Sequence, residues 1–209
     1  MIYCIGNSHV NFFTKTHPSI RNTVSVCDSF TSFNIGPVIA YNYYEHHLTK
    51  TYDALKACGA PLGAQVLMVV GEVDCRWHLP KRVSETRMKP EMIVTQCAQR
   101  FFRAVLDVKS KGYKPILWGG HPSTTAGHND AVDGPIWGDC LTRNRISNLW
   151  TNKLVEFAKP TKIPLVSLLH LLIDEHNLTR MEYFMDYCHL DSDKLLPTAI
   201  QLFKNQRLL

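Results

Sequence analysis

Met1-Ile2-Tyr3-Cys4-Ile5-Gly6-Asn7-Ser8-His9-Val10 opens the chain with a short apolar run that a glycine interrupts and polar residues follow at once. This pattern predicts a buried parallel strand that stops and turns into a helix. Ser8 falls just past the stop. In an open α/β sheet, ligands bind in the crevice beyond the carboxyl ends of the strands, so a hydroxyl there is placed for chemistry. Two readings of Ser8 stand on this stretch alone, an N-cap of the following helix and a nucleophile.

The same strand-then-glycine pattern recurs down the chain. Val66-Leu67-Met68-Val69-Val70 is a continuous apolar run, short enough to be β and predicted to be buried on both faces, and Gly71 ends it. Pro115 to Trp118 and Pro164 to Leu168 read as further strands, with another at Val24 to Cys27 and a strand end at Phe33-Asn34-Ile35 before Gly36-Pro37. Between them, helical spacing predicts helices over 38–58, interrupted near Thr49-Lys50, and from Pro90 to about Ser110. Met92, Ile93, Cys97, Phe101, Val105 and Val108 are the expected inner face of the second. A helix opening at Arg143-Asn144-Arg145 and a closing helix from Leu195 to Phe203 complete the alternation. Strands and helices in this rhythm predict one domain over residues 1–209. Its fold class is α/β: a three-layer α/β/α sandwich with a doubly wound, flavodoxin-like parallel sheet.

Composition narrows the function classes. With 45% hydrophobic and 20% charged residues the chain has the balance of a globular protein, and no run reaches the roughly 18 apolar residues of a membrane span. The formal charge is +5, but Lys and Arg are scattered; the local cluster Lys81, Arg82, Arg87 and Lys89 reads as a solvated face, so neither nucleic acid nor membrane is expected as a partner. Seven dispersed cysteines, mostly in apolar stretches, are the usage of a reducing compartment. The amino terminus lacks a basic flank and a small-residue cleavage site. The expectation is therefore a cytoplasmic protein, and a viral or phage product would look the same. His46 and His47 are adjacent and diverge on a helix, and neither His-Glu-x-x-His nor Cys-x-x-Cys occurs, so no metal and no cofactor are expected.

The far end of the chain changes the odds on Ser8. A serine hydroxyl is a poor nucleophile until a base takes its proton, and that base needs a carboxylate to fix its tautomer and stabilise the imidazolium. In Asp186-Tyr187-Cys188-His189, acid and base stand three residues apart and one loop can supply both. Gly6-Asn7-Ser8-His9 and Asp186-Tyr187-Cys188-His189 resemble the first and last blocks of the SGNH (GDSL-type) hydrolases. Gly36 resembles the second-block glycine, and Gly71-Glu72-Val73-Asp74-Cys75-Arg76 the third block, which usually reads Gly-x-Asn-Asp. The blocks fall in order over nearly the whole chain. The resemblance implies a catalytic Ser8, His189 and Asp186, with Gly36, Gly71 and Asp74 around the oxyanion and the substrate.

Two departures matter. Asn7 replaces the usual aspartate, a modest change because an amide still accepts hydrogen bonds and caps a helix. Val73 replaces the asparagine whose side chain helps hold the oxyanion, a donor typically worth about 2.7–4 kcal/mol. Arg76, with five N–H bonds on a permanent charge, is the candidate to compensate; its plainer reading is a pair with Glu72 or Asp74. The leading expectation is an esterase acting on O-acyl groups, such as acetyl on carbohydrate. Its substrate would be a small-molecule or glycan ester, with the loop from Gly119 to Asp139 as a specificity element and Trp137 as a sugar or aryl platform. An O-acyltransferase with the same triad, or a binding module with a retired site, are the alternatives.

Overall fold

The computed structural model describes residues 1–209 except 129 and 131–133. Six strands form one sheet: β1 (Ile2–Gly6), β2 (Val24–Cys27), β3 (Phe30–Asn34), β4 (Gln65–Val69), β5 (Lys114–Trp118) and β6 (Leu165–Val166), in the order β2-β3-β1-β4-β5-β6. β3, β1, β4, β5 and β6 are parallel. With β2 set aside they follow the 2-1-3-4-5 order of a flavodoxin-like sheet. β2 departs from the parallel plan. It folds back antiparallel on β3 through Asp28-Ser29, Asp28 taking a positive φ of 47°, and lies at the edge with Val26 exposed. A two-residue hairpin connection can join only antiparallel neighbours, which is why this strand reverses.

Period-two alternation on buried strands sends successive side chains into two separate cores. Ile5 of β1, Val66 and Met68 of β4 and Leu117 of β5 pack with α2 (Leu48–Ala57), α4 (Pro90–Ser110) and α5 (Cys140–Thr161). Ile2, Cys4, Leu67, Val69, Ile116 and Trp118 face the other way, onto the 3₁₀ segment Ser8–Thr14 and α7 (Ser192–Asn205). The molecule is thus a three-layer α/β/α sandwich. The inner face of α4 is as the spacing predicts, except that Met92 is 52% exposed; it is one position, about 100°, from Ile93, and only Ile93 reaches the sheet. The expected helix over 38–58 is in three pieces: a 3₁₀ turn, α1 (Tyr43–His46) and α2. The break falls at His47, whose φ of −124° leaves helical geometry, two residues before the predicted position.

The switch point of such a sheet lies between β1 and β4, whose connections run to opposite sides. Gly6, the last residue of β1, pairs with Val69 of β4, and a Cβ there would be driven into the Val69 carbonyl oxygen. Backbone atoms cannot swing aside as a side-chain tip can. Gly6→Ala is therefore expected to cost about 1–3 kcal/mol, the usual scale of overpacking. A lowered urea midpoint at unchanged m-value is the readout; a midpoint equal to wild type would mean that the two strands part at no cost.

Candidate active site

The turn after β1 delivers Ser8. Asn7 caps the 3₁₀ segment, its Oδ1 accepting from the His9 amide at 3.2 Å, so the amide side chain does the capping that the substitution at this position requires. The first amides of a helical turn lack partners within it, and that of Ser8 donates to no protein group among the described residues.

The loop between α6 (Leu169–Leu172) and α7 brings the far end of the chain to the same edge. Phe184 and Leu190 form an isolated antiparallel bridge, and the Met185 amide donates to the His189 carbonyl, so 185–189 is a tight hairpin-like turn. Ser8 Oγ lies 2.7 Å from His189 Nε2, and His189 Nδ1 lies 2.7 Å from Asp186 Oδ2. Asp186 Oδ1 accepts from the Cys188 and His189 amides at 2.8 and 2.7 Å. Partial burial raises the Asp186 pKa, but the His189 ring and these two amides outweigh it and hold the carboxyl down to about 2. Asp186 is thus a carboxylate at neutral pH, and its carboxylate orients His189 with Nδ1–H toward it and the Nε2 lone pair toward Ser8. Cys188, 1% exposed, has its thiol pushed up by burial and is not poised as a nucleophile.

Beyond Ser8 lies a cleft of about 300 Å³, lined by Asn7, Ser8, Arg21, Gly36, Arg76 and Tyr187 among others. Gly36 lines it with a φ of +91°, but its N–H donates to Asn34 Oδ1 at 2.9 Å. The Asn34 side chain closes the turn at the end of β3, and the Gly36 amide expected to face the oxyanion is already spoken for.

After β4 the chain enters a π-helical turn, Asp74–His78, which continues into α3 (Leu79–Glu85). Gly71 has a φ of +108° and packs edge-on against Trp150, where a Cβ would meet the indole at 2.7 Å; it serves packing and does not line the cleft. Asp74 is also away from Ser8. Fully buried, it accepts the Ala40 amide at 2.7 Å and a thiol contact from Cys97 at 3.7 Å. Burial pushes its carboxyl up to about 7, the Ala40 and Tyr41 amides offsetting only part of the effect.

The folded state therefore holds the Asp74 proton from the unfolded value near 4 up to about 7, and stability from this group falls as pH rises through that interval. Asp74→Asn is expected to raise the melting temperature above pH 7, leave it unchanged near pH 4, and flatten the profile between. A variant that follows the wild-type pH profile would remove Asp74 as its source.

Arg76, 6% exposed, pairs with Glu72, 3% exposed, one turn earlier: Nε to Oε1 at 2.5 Å and Nη2 to Oε2 at 3.3 Å. Its Nη1 donates to the Pro135 carbonyl. One N–H on each terminal nitrogen is left uncommitted by these bonds, and the side chain lines the cleft. Burial would raise the Glu72 pKa, but Arg76 and His9 more than offset it, and the carboxyl is held well below its ordinary range.

Sequence reasoning missed what lies behind His189. His9 Nε2 is 3.1 Å from Glu72 Oε2, His9 Nδ1 is 3.1 Å from His121 Nε2, and the His9 ring stacks on His189 with centroids 4.6 Å apart at 30°. Burial, foremost, lowers the pKa of both His9 and His121, so both are neutral. The partners of His9 are 63 and 112 positions away, and no local pattern signals them.

His9, Cys188 and His189 carry metal-ligating atoms within 4.8 Å of one another. Both nitrogens of each histidine are already bonded, so an ion held by both rings would have to displace Ser8 or Asp186 from His189 and Glu72 or His121 from His9.

The loop from Gly119 to Asp139, of which 129 and 131–133 lie outside the described residues, forms part of the cleft wall through Pro135. Trp137 is not on that wall. Its ring packs on His128 and Trp77 at 4.1 and 5.6 Å, and its Nε1 donates to Ser84 Oγ.

No protein-family model and no curated protein matches the chain. Solved structures do. A Bacteroides fragilis NCTC 9343 protein assigned as an acylhydrolase aligns over 100% of this chain and 88% of its own, with TM-score 0.64 and 18% identity. A GDSL-like lipase from Bacteroides thetaiotaomicron VPI-5482 aligns over 99% and 88%, with TM-score 0.64 and 15% identity. The acetyl xylan esterase AlAXEase aligns over 98% and 99%, with TM-score 0.55 and 14% identity. The chain has the fold of the SGNH (GDSL-type) hydrolases. At these identities the likeness is one of fold, and the function is argued from the site. Among the described residues, no helix is long and apolar enough to cross a membrane.

Proposed function

We propose that the protein is a serine ester hydrolase that removes a small O-acyl group, such as acetyl, from a polar or carbohydrate alcohol. The observation that carries this reading is the unbroken line Ser8 Oγ, His189, Asp186, with both links at 2.7 Å, beside an open cleft at the switch point of the sheet. His189 Nε2 takes the Ser8 proton as Oγ attacks the ester carbonyl. Asp186, ionised, stabilises the imidazolium; collapse of the tetrahedral intermediate returns the proton to the leaving alcohol and leaves an acyl group on Ser8. Water, deprotonated by His189, then releases the acid.

Negative charge on the carbonyl oxygen needs donors. The Ser8 amide is one. With Val73 lacking a donor and the Gly36 amide bonded to Asn34, the uncommitted N–H bonds of Arg76 are the second. The cleft's volume of about 300 Å³ favours a short acyl group over a long lipid chain. The test is turnover of p-nitrophenyl acetate by wild type against Ser8→Ala, with a serine-directed phosphonate to locate the nucleophile by peptide mapping.

A further inference from the structure

We propose that His9 is a positioning residue for the general base, holding the His189 ring in the plane that joins Ser8 to Asp186. The inference rests on the esterase reading and adds to it a residue outside the triad.

His189 sits on an exposed turn, and its two in-plane hydrogen bonds do not by themselves stop the ring from rocking about the line between them. A flat surface against its face does. The His9 ring supplies one, stacked at 4.6 Å and 30°, close to the offset geometry that aromatic pairs prefer. A support is useful only if it is itself fixed, and His9 is fixed at both ends. The Glu72 carboxylate can only accept, so His9 Nε2 carries the proton toward it; His9 Nδ1 then accepts from His121 Nε2–H. Glu72 is in turn clamped by Arg76. The chain Arg76, Glu72, His9, His121 is at least nine-tenths buried at every member, which leaves its side chains little room to rotate away from one another.

The neutrality of His9 matters too. During the reaction His189 becomes a cation, and a charged ring stacked upon it would oppose that step. A neutral ring does not. Its other facing groups are the Glu72–Arg76 pair, which carries no net charge, and His121, which is neutral.

Two substitutions separate the stack from the hydrogen bonds. His9→Phe keeps a flat face over His189 but loses both bonds; His9→Gln keeps a donor for Glu72 and an acceptor for His121 but loses the face. Turnover of p-nitrophenyl acetate is measured per serine titrated with the phosphonate, so that unfolded molecules do not count. A residue that positions the base gives His9→Gln a kcat lowered on the order of 10²-fold at unchanged KM, the scale of a misplaced reacting group, with most of the loss recovered in His9→Phe. His9→Gln at wild-type kcat per titrated serine overturns the proposal, even if His9→Phe does not fold. So does a ranking in which Gln outperforms Phe. Absence of both turnover and labelling in the wild type would instead strike the esterase reading itself.

Discussion

Ser8→Ala is expected to lower kcat on p-nitrophenyl acetate on the order of 10⁴-fold or more while leaving the fold intact. The loss is large because, in the proposed mechanism, the hydroxyl oxygen is the atom to which the acyl group would become attached; without it only the donors around the carbonyl and binding remain, and the members of such a triad act as a unit. The fold survives because Ser8 is only partly buried at a turn and its side chain bonds only to His189 among the described residues. His189→Ala should match it within about tenfold, since removing either member of such a unit costs nearly the same. Asp186→Asn should retain more turnover than either, because the other parts of the site still polarise the ester; its own loss comes from the amide N–H that now faces Nδ1 and favours the wrong tautomer of His189. Phosphonate is expected to add once per chain, on Ser8, and the Ser8→Ala protein to take up none. Wild-type turnover in Ser8→Ala, or labelling that maps to Cys75 or Cys188, would end the assignment.

Arg76→Ala is expected to have the largest effect on stability. It leaves the Glu72 carboxylate buried with only His9 as partner, and breaking a buried ion pair by removing one member typically costs about 3–5 kcal/mol. For a chain of this length each kcal/mol moves the melting temperature by roughly 2–4 °C, so the drop is on the order of 10 °C. The same substitution tests the oxyanion. If the uncommitted N–H bonds of Arg76 reach the developing charge, kcat per titrated serine falls on the order of 10²–10³ with little change in KM. Arg76→Lys restores the charge without the two-point grip on Glu72 and should lie between. A lowered melting temperature beside an unchanged kcat per titrated serine would sink the oxyanion role and leave Arg76 as the anchor of Glu72.

What was legible in the sequence follows from periodicity and local punctuation. A short apolar run stopped by Gly6 or Gly71 reads as a buried strand reaching its end, and a residue one or two positions later then emerges at the sheet edge; this placed Ser8 and the 72–76 turn without knowledge of their neighbours. Asp186 and His189 were equally plain, because a carboxylate and an imidazole three residues apart meet on one turn whatever surrounds them. Pairing of Arg76 with Glu72 also stood among the sequence readings, at i, i+4 spacing.

The remaining features depend on contacts between distant segments. Whether Gly36 offers its amide to a substrate depended on which way the Asn34 side chain turned, and it turned back onto the backbone. Asp74 turned inward onto the Ala40 amide, a partner 34 positions away that no local pattern announces. Trp137 went to other aromatic rings rather than to the cleft. The Glu72, His9 and His121 chain joins three separate strand ends. The sequence by itself determined where the central strands β1, β4 and β5 end and that Asp186 meets His189, because those rest on interactions between near neighbours along the chain. Only the tertiary structure decided which polar groups remain free for a substrate and which are used up in holding the site, because a hydrogen bond formed across the fold leaves no periodic trace in the order of residues.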